Sequence, residues 1–266
     1  MSHSVTTRTL GGVRIKLMRG AAPPGGGAPL LFLHGAGGAS AWLPFMDQLA
    51  QRYDLWVPEH PGFGDSDTPA WLKRVEDLAY YYLDVLAELD LTGMHLVGHS
   101  LGGWTAAALA IKDCSRLASL TLIAAAGVHV HGVPRLDNFM GNPEQTLRGL
   151  IHDQRIADQL LAMDVPPEER ERQLKNRFTT ARLVWQPRSY DPYLPQWLHR
   201  IRVPAHVLWG EHDRLFPLRI GEEYQGLIPG ARLSVLPGCG HLPPMEQPDA
   251  CAAAVLQFLA GVEGRA

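Results

Sequence analysis

The sequence predicts an α/β fold, a mostly parallel sheet covered by helices on both faces. Three observations predict it. Short apolar runs recur along the chain, each closed by glycine, proline or a polar turn. Stretches with helical spacing separate several of them, and strand–helix alternation is the pattern of a parallel sheet. Most of the runs are apolar at consecutive positions rather than alternate ones, as strands buried on both faces are.

In chain order, residues 5–19 come first. Val13, Ile15 and Leu17 interleave with Arg14 and Lys16, and Gly11-Gly12 divides two such runs, which predicts a β-hairpin. Residues 21–29, AAPPGGGAP, read as a loop. Buried strands are predicted at 30–33, 55–57, 94–97, 120–124, 206–209 and 233–236. Helices are predicted at 40–52, 75–89, 105–112 and 248–259; in the second, Leu78, Tyr82, Val85, Leu86 and Leu89 fall at helical spacing.

Between Val128 and His199 the alternation stops. Asn142-Pro143-Glu144-Gln145 supplies an N-cap, a first-turn proline and a capping-box glutamine. Pro166-Pro167 opens a second helix, on which Leu174, Phe178, Ala181 and Trp185 share one face. The insertion reads as a lid over one end of the sheet. The chain then divides into a core of residues 1–127 and 200–266 and a helical cap of residues 128–199.

A length of 266 residues suits one core domain with an insertion. The composition, 46% hydrophobic and 19% charged with a net charge of −3, gives no electrostatic reason to expect nucleic acid or an anionic membrane as partner. The segment MSHSVTTRTL lacks the apolar core of a signal peptide, and no apolar run approaches the ~20 residues a spanning helix needs. The expectation is a cytoplasmic chain acting on a small molecule. Cys114, Cys239 and Cys251 are odd in number and lack C-x-x-C spacing, so free thiols are expected rather than disulfides or a zinc site.

Gly98-His99-Ser100-Leu101-Gly102 matches G-x-S-x-G. The pattern is weak alone, but here a predicted strand precedes it and a helix follows. A serine in such a sharp turn takes a strained backbone conformation and projects its Oγ above the sheet. Side chains at Gly98 and Gly102 would collide, and Gly103 lets the helix pack closely. The helix N-terminus directs the positive end of its dipole toward charge developing at Ser100.

A serine hydroxyl needs a base to act as a nucleophile at neutral pH. On a strand–turn–helix of this kind the partners follow in the order serine, acid, histidine. Of twelve histidines only His241 lies beyond the last predicted strand, and Asp213 lies just beyond the preceding one. Both stand at C-terminal strand ends, where the sites of open α/β sheets gather. Glu211 is two residues from Asp213 and is also an acid; the W-G-x-x-D-x-x-x-P stretch favours Asp213. In Leu31–Gly38, LFLHGAGG, another strand end meets a glycine-rich turn, so Ala36 N–H and Leu101 N–H are the expected oxyanion donors.

Together, His34-Gly35-Ala36-Gly37-Gly38, PEHPGFGDSD (58–67), GHSLGG (98–103), WGEHDRLFP (209–217) and GCGHLPPMEQP (238–248) resemble the α/β-hydrolase fold superfamily, in its branch with a short helical cap. The resemblance implies an eight-stranded sheet with only the second strand antiparallel. Epoxide hydrolases and haloalkane dehalogenases of this fold carry aspartate where Ser100 stands, so serine implies an acyl-enzyme. The expected activity is hydrolysis of a small to medium apolar carboxylic ester, with Ser100, His241 and Asp213 catalytic and no cofactor or metal. His129-Val130-His131 lacks a third ligand at sensible spacing.

His34, Gly35, His99, Phe139, Trp185 and Phe216 are the expected substrate contacts. His34 and His60 could equally be structural, His99 is expected to point away from the nucleophile, and the aromatic residues with Met140 and Tyr190 could equally form the lid's own core. Three alternatives remain. A C–C bond hydrolase acting on a ring-cleavage diketone resembles the chain around His34–Trp42, and Arg182 or Arg188 could then hold a carboxylate. Such enzymes carry an aromatic residue directly after the histidine, where Leu242 and Pro243 stand here. A ligand receptor on the same fold would lack turnover. A transferase or perhydrolase would differ only in what attacks the acyl-enzyme.

Overall fold

The computed structural model describes residues 3–20 and 27–264. Its strands are β1 (His3–Leu10), β2 (Val13–Gly20), β3 (Pro29–Leu33), β4 (Asp54–Pro58), β5 (Met94–His99), β6 (Leu117–Ile123), β7 (Ala205–Gly210) and β8 (Arg232–Leu236). They form one sheet in the order β1-β2-β4-β3-β5-β6-β7-β8. Strand β2 runs antiparallel to both its neighbours and every other pairing is parallel. The β1–β2 hairpin closes where Leu10 pairs with Val13. Gly11 and Gly12 there have φ of 53° and 73°, the positive values a two-residue hairpin turn of matching twist requires. Most of the loop expected at 21–29 lies outside the described residues, and β3 already begins at Pro29.

The helices are α1 (Pro44–Ala50), α2 (Val75–Glu88), α3 (Leu101–Lys112), α4 (Pro143–Leu150), α5 (Gln154–Ala162), α6 (Pro167–Val184), α7 (Leu194–Trp197), α8 (Leu218–Leu227), α9 (Pro243–Glu246) and α10 (Pro248–Glu263). Strand alternation sorts the buried side chains into two cores. Leu31, Leu33, Leu96, Leu120, Leu122, Val207 and Trp209 face α2, α3 and α8. Leu30, Phe32, Val97, Ile123 and Leu208 face α1 and α10. This two-sided burial is why consecutive strand positions are apolar. Among the described residues no helix is long and apolar enough to cross a membrane.

Several predicted elements move. The helix expected at 105–112 begins at Leu101, directly after Ser100, and the one expected at 40–52 spans only Pro44–Ala50. Helix α8 is not predicted because Gly221 and Gly226 break its pattern; a Cβ at Gly221 would lie 2.8 Å from the Trp209 ring, so the glycine lets helix and strand approach. Within 128–199 the predicted helices appear as α4 and α6, with α5 between them. The Asp153 side chain caps α5 by accepting from Arg155 N–H.

The face of α6 read as apolar is its outer face. Leu174, Phe178 and Trp185 are 55%, 68% and 52% exposed, while Asn176, Thr179 and Thr180 are buried with Leu183 and Val184. Polar residues turn inward because much of α6 docks on a loop of backbone carbonyls rather than on an apolar surface. Thr179 Oγ1 donates to Gly62 O at 2.6 Å, and Lys175 Nζ donates to Gly64 O and Ser66 O at 2.8 and 2.6 Å.

Candidate active site

Ser100 occupies the turn between β5 and α3 with φ 54° and ψ −114°, a strained conformation for a residue with a Cβ. The surrounding backbone holds it there. Ser100 N–H donates to Ile123 O at 2.9 Å, and Ser100 O accepts from Trp104 and Ala126 N–H at 3.1 and 3.0 Å. A Cβ at Gly98 would run into Gly102 O, and one at Gly102 into Leu33 O. One at Gly103 would lie 2.6 Å from the Ala125 methyl. All three glycines are therefore required by close approach around the serine.

The Ser100 Oγ donates to His241 Nε2 at 3.0 Å, and His241 Nδ1–H donates to Asp213 Oδ2 at 2.8 Å. The other aspartate oxygen, Oδ1, accepts from Leu215 and Phe216 N–H at 2.9 and 2.8 Å. Both carboxylate oxygens are thus fixed, and the imidazole presents its unprotonated nitrogen to the serine. The three groups come from the ends of β5, β7 and β8. Glu211 instead accepts from Gly238 N–H at 3.0 Å, so geometry selects Asp213 between the two acids.

The His241 loop is tied down by groups that sequence reasoning missed. His241 N–H donates to Leu150 O at 2.7 Å. The buried Glu246 carboxylate accepts from Gly240 N–H at 2.9 Å and from His152 N–H at 2.7 Å, linking that loop to the segment between α4 and α5. A glutamate five residues after a histidine carries no signal of this in sequence.

Ala36 lies in a turn closed by Gly38 N–H donating to Gly35 O at 3.1 Å. Among the described hydrogen bonds none uses Ala36 N–H or Leu101 N–H. A Cβ at Gly35 would lie 3.2 Å from Ser100 Cβ and 3.0 Å from His99 Nδ1, so this turn runs directly alongside Ser100.

A buried network supports the turn from below. Tyr82 O–H donates to His60 Nδ1 at 2.6 Å, and His60 Nε2–H donates to His34 O at 2.9 Å. His60 N–H donates to His34 Nε2 at 2.8 Å, and His34 Nδ1–H donates to Gly35 O at 2.7 Å. Both ring nitrogens of His34 are committed, so it braces the turn and offers nothing polar to a substrate. His99 Nε2–H donates to His241 O at 3.0 Å, which places that ring beside the histidine loop. Phe216 sets its ring edgewise on His241 at 5.2 Å. It also lines a pocket of about 260 Å³ with Arg135, Asp137, Arg188 and Leu215. Phe139 and the half-exposed Trp185 pack on each other at 5.5 Å, at the C-terminal end of α6.

Burial sets the charge of these rings. It pushes His60 down to about 4. It pushes His99 down to about 3, helped by the nearby His241, and His34 falls well below its usual value through burial and the proximity of His60. His95, His129 and His206 are also lowered by desolvation, whereas Glu59 and Glu76 are raised by it. A histidine with a depressed folded pKa binds its proton first in the unfolded chain, near pH 6.5. Its contribution is intact above that value and is lost as pH falls toward the folded pKa. The two glutamates work in the opposite sense but are outnumbered. The urea midpoint is therefore expected to change little from pH 7.5 to about 6.5 and to fall from there to pH 5; an unchanged midpoint over the lower interval would contradict the neutral assignment.

Cys239 and Cys251 are buried free thiols, and burial pushes the Cys239 thiol up to about 12, so neither is a thiolate at neutral pH. Among the described residues no three His, Cys, Asp or Glu side chains gather as a metal site.

Residues 30–254 match the family model described as "Alpha/beta hydrolase family". Among curated proteins, the 2-hydroxy-6-oxononadienedioate/2-hydroxy-6-oxononatrienedioate hydrolase of Escherichia coli strain K12 is 28% identical over 255 residues, covering 88% of this chain and 88% of that protein. Among solved structures, a membrane phospholipase A described as a bacterial virulence factor matches with TM-score 0.75 and 26% identity, covering 98% of this chain and 87% of that one. A carboxylesterase of Bacillus subtilis matches with TM-score 0.76 and 20% identity, covering 98% and 93%, a likeness of fold.

Proposed function

The chain belongs to the alpha/beta hydrolase family, and from that premise we propose that it is a serine hydrolase cleaving a small to medium apolar carboxylic ester through an acyl-enzyme. The observation that carries this reading is the continuous hydrogen-bond chain Ser100–His241–Asp213, at 3.0 and 2.8 Å.

The reaction follows from that chain. Ser100 Oγ attacks the ester carbonyl carbon as its proton passes to His241 Nε2. Asp213 stabilises the imidazolium and keeps its orientation. The carbonyl electron pair becomes an oxyanion, which Ala36 N–H and Leu101 N–H receive. Collapse breaks the ester C–O bond, and the alcohol leaves with the proton from His241. Water then attacks the acyl-enzyme, giving its proton to His241, and the second collapse returns that proton to Ser100 and frees the acid. Every step uses groups of this chain and water.

The Escherichia coli relative is named for a 2-hydroxy-6-oxo dienedioate, and that name favours a second reading, hydrolysis of a ring-cleavage diketone. Two features argue for the ester. Arg188 is paired with Asp137 through bonds of 2.8 and 2.6 Å, and Arg182 lines an open depression with Leu174 and Phe178 on the outside of α6. Leu242, with no aromatic ring, follows His241. The expected result is a higher kcat/KM on p-nitrophenyl esters than on a dienoate ring-fission product; the reverse ranking would select the diketone.

A further inference from the structure

We propose that Asn176, on cap helix α6, is a positioning residue for the oxyanion hole, holding the glycine-rich turn that carries Ala36 N–H. The inference rests on the serine hydrolase reading above and adds to it a link from the cap to the site. Asn176 is 4% exposed. Its Nδ2 donates to Gly37 O at 2.9 Å, and its Oδ1 accepts from Gly64 N–H at 2.7 Å. One partner can only accept and the other can only donate, so the amide has a single satisfied orientation.

The turn needs such a tether. Three of the four residues Gly35–Gly38 are glycine, so few steric barriers restrain its peptide planes. His34 holds its first carbonyl, Gly35 O, from the core side, and Asn176 holds its third, Gly37 O, from the cap side. The Ala36 N–H shares its peptide plane with Gly35 O, and the bond from Asn176 fixes the plane two peptides further on, at the other end of the turn. Gly38 has φ +90°, and a Cβ there would sit 2.5 Å from Asn176 Nδ2, so turn and side chain meet without slack. Preorganisation of such donors determines how much they contribute to rate.

The same helix supplies its own controls. Thr179 bonds to Gly62 O and Lys175 to Gly64 O and Ser66 O, so both dock α6 on the loop while making no hydrogen bond to the turn. A residue that only fastens the cap would behave as they do.

The test compares Asn176→Asp, Asn176→Ala and Thr179→Val on a p-nitrophenyl ester and with a trifluoromethyl ketone, whose serine adduct places an oxyanion in the hole. Asn176→Asp keeps an acceptor for Gly64 N–H but turns a carboxylate oxygen against Gly37 O, whereas Asn176→Ala removes both bonds without adding charge, so a loss common to the two reports the missing donor. Both Asn176 variants are expected to lose kcat by ~10-fold to 10²-fold, part of the 10²–10³ that removing a donor costs. KM should stay within about twofold, and ketone affinity should fall by the same factor as kcat/KM. Thr179→Val is expected to lower the thermal midpoint with kcat and ketone affinity unchanged. Unchanged kcat and ketone affinity in Asn176→Asp, whatever its midpoint, would overturn the assignment of Asn176 alone. No ester turnover and no ketone binding by the parent chain would overturn both readings.

Discussion

Ser100→Ala is expected to lower kcat for ester hydrolysis by about 10⁶-fold, the scale seen when the nucleophile of a Ser–His–Asp unit is removed. The substitution deletes one oxygen and leaves the backbone demand at position 100 unchanged. Alanine has the same Cβ as serine, so it meets the same strain at φ 54° and ψ −114°. The three backbone hydrogen bonds around the turn do not involve the side chain. The only side-chain hydrogen bond lost is the one to His241 Nε2. The thermal midpoint is therefore expected to move by no more than a few degrees, which distinguishes loss of chemistry from loss of fold. Steady-state kinetics and a melting curve on the same preparation check both parts; activity retained in that variant would remove Ser100 from the mechanism.

Asp213→Asn is expected to cost about 10⁴ in kcat, and the structure says why an isosteric change should matter so much. Oδ1 of residue 213 accepts from two backbone N–H groups, of Leu215 and Phe216. An asparagine must keep its amide oxygen there, because its NH₂ would face two donors. The NH₂ is then forced toward His241 Nδ1, which must accept. The imidazole is left with its proton on Nε2, where it cannot take another from Ser100. The loss should appear in kcat with little change in KM, and should lessen at high pH, where hydroxide partly replaces the base. A fall smaller than tenfold would mean that Asp213 does not set the tautomer of His241.

What the sequence revealed, and what it hid, divides along one physical line. The central strands were legible because a strand buried on both faces must be apolar throughout, as Leu30–Leu33 is. The serine turn was legible because Gly98, Gly102 and Gly103 each answer a local collision. Asp213 and His241 were singled out because strand ends fix where side chains emerge and the W-G-x-x-D-x-x-x-P stretch favours Asp213 over Glu211; the hydrogen bonds put Asp213 on His241 and Glu211 on Gly238. The helical segment 128–199 was read less well. Leu174, Phe178 and Trp185 lie outward because α6 meets free carbonyls, and buried carbonyls demand donors. Helical periodicity records which residues share a face but not whether the surface opposite is oil or backbone. Asn176 and Glu246 went unnoticed for the same reason: their partners are set by tertiary approach, Gly37 lying 139 residues from Asn176. For His34, read as either structural or a substrate contact, both ring nitrogens are used in bracing the turn.

The most direct test is covalent. Incubating the protein with a fluorophosphonate and mapping the modified peptide by mass spectrometry asks whether His241 and Asp213 make a single hydroxyl nucleophilic. One adduct per chain, on Ser100, absent from Ser100→Ala and slow to form in Asp213→Asn, is the outcome required. A fully unmodified chain, or an adduct on any other residue, would contradict it.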